Sequence, residues 1–151
     1  MSKYYLAYGS NLNKAQMAYR CPKAKPVGTA EIPDYELVFR RGFLTIEPME
    51  GSIVPVGIWE IKDSDEKALD RYEGFPKFYF KKWFQVDVPG VGQRLCMAYI
   101  MTNGHPIYAP SDSYLYTVLG GYKDFGLQNK MVGMYDAFDR AIEEMGKDEP
   151  E

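Results

Sequence analysis

Cysteine and histidine are scarce in this chain, and their scarcity argues against several kinds of site. The 151 residues include two cysteines, Cys21 and Cys96, and one histidine, His105. Two cysteines are too few for the disulfide framework of a small secreted domain. Together with one histidine they do not form a usual zinc ligand set. His105 lies in a predicted loop, and no nucleophile motif accompanies it. The sequence therefore predicts neither a metal site nor a cofactor.

Strong charge and long apolar runs are also lacking. The net charge is −3 and no basic stripe is visible, so the sequence does not predict a nucleic-acid partner. No apolar run approaches the roughly 20 residues that a membrane-spanning helix needs, and no basic-then-apolar leader opens the chain. We expect a cytoplasmic, single-domain protein over residues 1–145, followed by an acidic segment at 146–151 that frays. No membrane partner is predicted, and a homodimer is left open.

Tyrosine, by contrast, is abundant, with 13 in the chain, and 46% of all residues are hydrophobic. Tyrosine combines an apolar ring with a hydroxyl, which suits a pocket for a polar small molecule. A tyrosine-rich core and surface would account for most of these residues equally well.

The first structured stretch is a strand, a small polar turn and a helix. Tyr4–Tyr8 is an unbroken apolar run typical of a buried strand. Gly9-Ser10-Asn11 interrupts it, and Asn13 is a suitable N-cap for a helix that ends before Pro22. Backbone N–H groups in such a turn can bind a carboxylate or an oxyanion. Ordinary turn chemistry is the alternative interpretation.

The rest of the chain alternates short strands, turns and helices, which indicates an α+β fold. Prolines and glycines divide the first strand region into four segments with a loop over Met49–Ser52, and they suggest a bend of the kind found in barrels. These segments are Val27–Ile32, Tyr35–Arg40, Phe43–Ile46 and Val54–Ile61. A clear hairpin follows, with strands Phe78–Val88 and Arg94–Met101.

Two helices are predicted after this hairpin. Ser111 is an N-cap for a helix that we expect Gly120-Gly121 to break. The last helix carries the clearest apolar face in the chain. Its members are Met131, Met134, Tyr135, Phe138, Ile142 and Met145.

A helix predicted over Asp63–Glu73 ends on an unfavourable residue. Gly74 is a natural residue for ending a helix, yet Glu73 places a carboxylate at the negative end of the helix dipole. Its spacing from Leu69 lets it point inward. Aromatic residues follow it, and desolvation among them would raise its pKa towards neutrality. That property suits general acid–base catalysis. A surface glutamate at a frayed helix end is the alternative.

These motifs together resemble the γ-glutamylcyclotransferase family, also called AIG2-like or BtrG-like. Tyr8-Gly9-Ser10-Asn11-Leu12 is similar to the turn after that family's first strand. The segment from Leu69 to Gly74 resembles its Leu-Asp-x-x-Glu-Gly helix end. Val56–Trp59 and Ala109–Tyr114 resemble two further family segments, and the resemblance runs from about Tyr4 to about Val132.

The resemblance implies a small mixed β-barrel flanked by helices, in an α+β fold. It also implies an enzyme that cyclises a γ-glutamyl small molecule to 5-oxoproline and releases an amine or amino acid. Glu73 would be the single catalytic residue, and no metal or cofactor would be required. The implied substrate-binding residues are Tyr8, Gly9, Ser10, Asn11, Leu12, Tyr79 and Tyr114.

Two other classes of function are compatible with the same sequence. A non-catalytic relative could bind a γ-glutamyl compound or another carboxylate-bearing small molecule without turning it over. A plain structural domain would have no pocket joining Gly9-Ser10-Asn11 to Glu73. The position of Glu73 against the helix dipole favours the enzyme, because a pure binder does not need it.

Overall fold

The computed structural model describes residues 2–147 and contains one mixed sheet with four α-helices. Its strands are β1 (Lys3–Ala7), β2 (Lys25–Arg40), β3 (Phe43–Ile61), β4 (Tyr79–Val88) and β5 (Gly92–Met101). The helices are α1 (Lys14–Arg20), α2 (Asp63–Glu73), α3 (Asp112–Asp124) and α4 (Val132–Lys147), and short 3₁₀ turns lie at Ser10–Leu12 and Gln128–Lys130. Within the described part of the chain, every helix is too short or too polar to span a membrane.

Strand β1 lies in the middle of the sheet, in the order β2-β3-β1-β5-β4. It pairs antiparallel with β3, where Tyr5 faces Trp59, and parallel with β5, where Tyr5 faces Met97. The α+β class and the mixed sheet are therefore confirmed. Because β1 is central, its C-terminal end delivers the following polar turn to the middle of one sheet edge.

The sheet does not close into the expected barrel. Edge strands β2 and β4 approach each other, but no ladder of backbone hydrogen bonds joins them within residues 2–147. Side chains fill the gap between these two edge strands instead. The rings of Tyr35 and Phe84 pack edge to face at 5.3 Å, and Lys82 Nζ donates to the Tyr35 hydroxyl at 2.6 Å. These side-chain contacts, not strand pairing, join the two edge strands.

Strands β2 and β3 form one long hairpin where four short segments were predicted. The Arg41-Gly42 turn joins them. The predicted loop over Met49–Ser52 is instead part of β3, and the register shift sets it opposite Asp34. Asp34 adopts a left-handed φ of 60°, and its carboxylate accepts from Gly51 N at 3.0 Å. The turn-forming residues thus make a bulge within a continuous strand pair.

Helix α2 begins and ends at the predicted residues, and Gly74 follows it with a left-handed φ of 64°. The capping contact at its start comes from Asp65, which accepts from Lys62 N at 2.9 Å. The expected break in α3 at Gly120-Gly121 does not occur. A Cβ on Gly121 would lie 2.5 Å from Leu12 Cβ. This glycine therefore serves close packing and does not end the helix.

Helix α4 packs on β2 through a narrower face than predicted. Met134, Ala137 and Ala141 are buried, whereas Tyr135 and Ile142 are about half exposed. Small residues let the helix approach the sheet, so the larger predicted apolar residues at its flanks stay at the surface. The predicted tail at 146–151 overlaps the last turn of α4, and residues 148–151 lie outside the described part.

Candidate active site

The polar turn after β1 is held firmly from two sides. Asn11 is buried, and its carbonyl oxygen accepts from Trp59 Nε1 at 2.9 Å, which ties the turn to β3. Asn13 caps α1, as predicted, by accepting from Gln16 N at 3.1 Å. The turn is therefore rigid before any ligand arrives, which is what a site for a developing charge requires.

The backbone N–H groups of this turn are only partly available. The Tyr114 hydroxyl accepts from Leu44 N at 3.1 Å and is also hydrogen-bonded to the Ser10 backbone. The Ser10 N–H is therefore not free to bind a ligand. Within residues 2–147 the N–H groups of Gly9 and Asn11 have no hydrogen-bond partner. Two donors thus remain for an anion.

Glu73 lies opposite this turn. It is the last residue of α2 and is partly buried, and Asn11 Nδ2 donates to its Oε1 at 3.4 Å. Burial raises the pKa of the Glu73 carboxyl to about 8, against a smaller lowering influence of the nearby Arg20 cation. The predicted direction and cause of this shift are both confirmed.

The three predicted tyrosines form walls whose hydroxyls are tied to the backbone. Tyr8 donates to Tyr99 O at 2.6 Å, and Tyr79 donates to Leu44 O at 2.9 Å. Burial raises the pKa of Tyr8, Tyr79 and Tyr114, so their hydroxyls stay neutral. The walls are therefore fixed and uncharged, and Glu73 is the acid that faces them.

A cavity of about 150 Å³ joins these groups. Every predicted site residue except Leu12 lines it, so the geometric relation expected between Glu73 and Gly9-Ser10-Asn11 is present. Six further residues line the cavity that the sequence motifs do not indicate. They are Tyr5, Phe43, Leu44, Tyr72, Phe78 and Tyr99.

Tyr72 is the one of these six residues that the sequence could have indicated. It directly precedes Glu73 near the end of α2. Its side chain is 43% exposed, and its hydroxyl lies 3.0 Å from Ser10 Oγ. A hydroxyl-bearing ring beside an inward-facing carboxyl was the available signal.

Leu12 does not line the cavity as expected. It is fully buried in the core, where it packs closely against the α-carbons of Gly57 and Gly121. The short 3₁₀ turn rotates its side chain away from that of Asn11. Leu12 therefore anchors the turn and is not positioned to contact a ligand.

The histidine and both cysteines lie outside the cavity. His105 bonds Thr102 Oγ1 at 3.0 Å and packs on the outer side of the Phe78 ring. Cys21 and Cys96 are buried, and burial raises the pKa of each thiol to about 11. A thiol with such a pKa is a poor nucleophile at neutral pH.

The fold and the cavity together define an α+β domain in which one desolvated glutamate faces a backbone turn. The family described as "Gamma-glutamyl cyclotransferase, AIG2-like" matches residues 5–117. This chain therefore belongs to that family, and the resemblance seen in its motifs is confirmed.

Individual relatives agree with this assignment. The γ-glutamylcyclotransferases of Bos taurus and Homo sapiens are each 29% identical over 135 residues, which cover 82% of this chain and 71% of the relative. A solved structure of a γ-glutamyl cyclotransferase superposes with a TM-score of 0.80 at 26% identity, over 91% of this chain and 88% of that one. YkqA from Bacillus subtilis shares the fold, with a TM-score of 0.71 at 20% identity, over 99% of this chain and 56% of its own.

Proposed function

We propose that this protein is a γ-glutamyl cyclotransferase that acts by intramolecular aminolysis. The substrate's α-amine attacks its own γ-carbonyl carbon, a C–N bond closes the five-membered ring of 5-oxoproline, and the original γ-amide C–N bond breaks. An amine or amino acid leaves. The observation that carries this proposal is the shared cavity of Glu73 and the Gly9–Asn11 turn, together with the family to which the chain belongs.

Glu73 would move the proton. Its pKa of about 8 is close to that of a free α-amino group, about 7.7–8.0. Proton transfer from the substrate ammonium to Glu73 is therefore nearly balanced in free energy, which is the favourable condition for a general base. The same carboxyl would then deliver that proton to the leaving nitrogen. The attacking nitrogen carries a second surplus proton in the tetrahedral intermediate, and this proton would also pass to the leaving nitrogen, so the amine departs as an ammonium ion. No proton enters or leaves overall.

The turn would hold negative charge. The N–H groups of Gly9 and Asn11 suit either the α-carboxylate of the substrate or the oxyanion that forms on the γ-carbonyl. Tyr8, Tyr79 and Tyr114 would confine the flexible glutamyl chain between them. Holding the amine near the carbonyl in this way contributes on the order of 7–11 kcal/mol in favourable intramolecular cases.

The leaving group would extend through the mouth of the cavity. Phe43 and Tyr72 line the cavity and are 41% and 43% exposed, so they form its rim. The Arg41 guanidinium lies 5.4 Å from the centre of the Phe78 ring beside them. An aromatic rim with a nearby cation accepts varied leaving groups. We therefore place selection among γ-glutamyl compounds at this rim.

A substrate panel tests the proposal. Purified protein is incubated with γ-glutamyl amino acids, γ-glutamyl-ε-lysine and γ-glutamyl alkylamines, and 5-oxoproline is quantified by liquid chromatography and mass spectrometry. We expect release from at least one class, abolished by Glu73→Gln. Saturable binding of these compounds without release of 5-oxoproline, measured by calorimetry, would show that the protein is a non-catalytic binding module and not an enzyme. Neither binding nor release would refute both.

A further inference from the structure

Helix α1 places a cation beside the cavity without lining it. Arg20, the last residue of α1, is partly buried, and its guanidinium carbon lies 3.3 Å from the centre of the Tyr72 ring. Its Nη2 donates to Gln16 Oε1 at 2.8 Å, one helical turn earlier. The stacking and this bond fix the guanidinium plane, since each uses a different face or edge of the group.

The other edge of the guanidinium meets the Asn11 side chain. Arg20 Nη1 donates to Asn11 Oδ1. Arginine has donors and no acceptor, so the Asn11 atom that faces it must be the oxygen. The amide nitrogen is thereby turned the other way, towards the Tyr5 hydroxyl at 2.9 Å and Glu73 Oε1 at 3.4 Å. Asn11 thus transmits the orientation of Arg20 to Glu73.

We infer that Arg20 is a positioning residue, which holds the Asn11 amide with its nitrogen directed at Glu73. A donor at that position stabilises the ionised carboxylate. Without Arg20, the amide is free to rotate and present its oxygen, which favours the protonated acid instead. Arg20 therefore sets whether Glu73 is ready to accept a proton.

Charge and orientation contribute separately to this effect. Within residues 2–147, the titratable groups that face Glu73 from the surrounding elements are Arg20 and six tyrosines. These tyrosines are Tyr5, Tyr8, Tyr72, Tyr79, Tyr99 and Tyr114. Removing Arg20 deletes its direct attraction for the carboxylate and also releases the Asn11 amide. The first effect does not depend on Asn11, whereas the second does.

A double-mutant cycle separates the two effects. The pKa of Glu73 is measured by ¹³C NMR of the side-chain carboxyl in protein labelled with ¹³C-glutamate, with Glu73→Gln identifying the signal. The variants are Arg20→Met, Asn11→Ala and their combination. We expect each single variant to raise the pKa by about one unit, and the double variant to raise it by clearly less than the sum. This readout does not require turnover.

Arg71→Met is the matched control, because Arg71 is an exposed cation of α2, two residues before Glu73. It should leave the Glu73 signal unchanged. Arg20→Lys keeps the positive charge and N–H donors, so the pKa of Glu73 in this variant should stay close to the wild-type value. If Arg20→Met does not fold, the cycle is run with Arg20→Gln. Additive shifts would overturn the inference, since Arg20 would then act by charge alone.

Kinetics supply a second arm, which rests on the proposed function. With a substrate found in the panel, Arg20→Met should lower kcat about tenfold with little change in KM, because a misdirected base affects the chemical step more than binding. An equal loss through KM would indicate a binding role and would contradict the positioning role. If no substrate is turned over, the proposed function fails, while the NMR cycle still decides the role of Arg20.

Discussion

Replacing Glu73 with glutamine should abolish activity and stabilise the protein at the same time. Glutamine keeps the shape and the Oε1 acceptor for Asn11, so the cavity is preserved. It cannot accept the ammonium proton or return it to the leaving nitrogen. Loss of one general acid–base group typically lowers the rate by a factor of about 10²–10⁴. We expect kcat for 5-oxoproline release to fall by at least that factor.

The stabilisation follows from the shifted pKa of this carboxyl. The unfolded chain releases the Glu73 proton near the ordinary value of 4.5, whereas the folded chain retains it up to about 8. The folded state therefore binds more protons between these values, and the wild-type free energy of unfolding falls as pH rises through this window. The penalty is on the order of 3 kcal/mol at pH 7 and vanishes below about pH 4.5. Glutamine removes it.

Thermal unfolding of the two proteins from pH 5 to pH 8.5 measures this effect. The variant's Tm should exceed that of the wild type by several degrees at pH 7–8, and the gap should narrow as the pH approaches 5. Glu143→Gln, on the exposed side of α4, reports the effect of the same chemical change away from the cavity. A gap that stays constant with pH, or a less stable Glu73→Gln, would refute the desolvation of Glu73.

Three further expectations concern the same cavity. The pH profile of kcat/KM should be bell-shaped with a maximum near pH 8, because Glu73 must be ionised and the substrate amine protonated. A profile without a rising limb below pH 8 would contradict the role of Glu73 as the base. Gly121→Ala should lower the free energy of unfolding in urea by about 1–3 kcal/mol and also lower activity, because the added Cβ would displace the polar turn. Gly133→Ala is the control: its Cβ would meet no atom within 4 Å, so stability should be unchanged or higher. Tyr79→Phe removes the donor to Leu44 O and should destabilise the fold by about 1–2 kcal/mol, and unchanged unfolding would contradict a structural role for that bond.

Features set by neighbouring residues could be predicted from the sequence. The caps at Asn13 and Ser111, the left-handed Gly74 and the β4–β5 hairpin depend on local backbone chemistry, and the structure contains all of them. The unfavourable position of Glu73 is equally local. These elements were sufficient to identify the two halves of the site.

Features set by distant contacts could not be predicted. The segment around Asp34 has the composition of a turn, yet the structure places it within β2, where its pairing with β3 contains a bulge. Gly120-Gly121 has the composition of a helix stop, but the helix continues because Leu12 packs where a side chain would be. The positioning of Asn11 by Arg20 depends on side chains nine residues apart, and no pattern of spacing encodes it.

The hydroxyls of Tyr8, Tyr79 and Tyr114 bond to the backbone of β5 and β3, at Tyr99 and Leu44. These tyrosine walls, the floor of the site, are thus also part of the scaffold. A substitution there lowers the stability of the fold as well as the activity. In the described residues 2–147, the side chains of Phe43 at the rim and of Arg41 beside it make no hydrogen bond to the sheet backbone. Laboratory evolution towards new leaving groups should therefore accumulate substitutions at the rim and leave the floor untouched. The architecture separates the part that can diversify from the part that cannot.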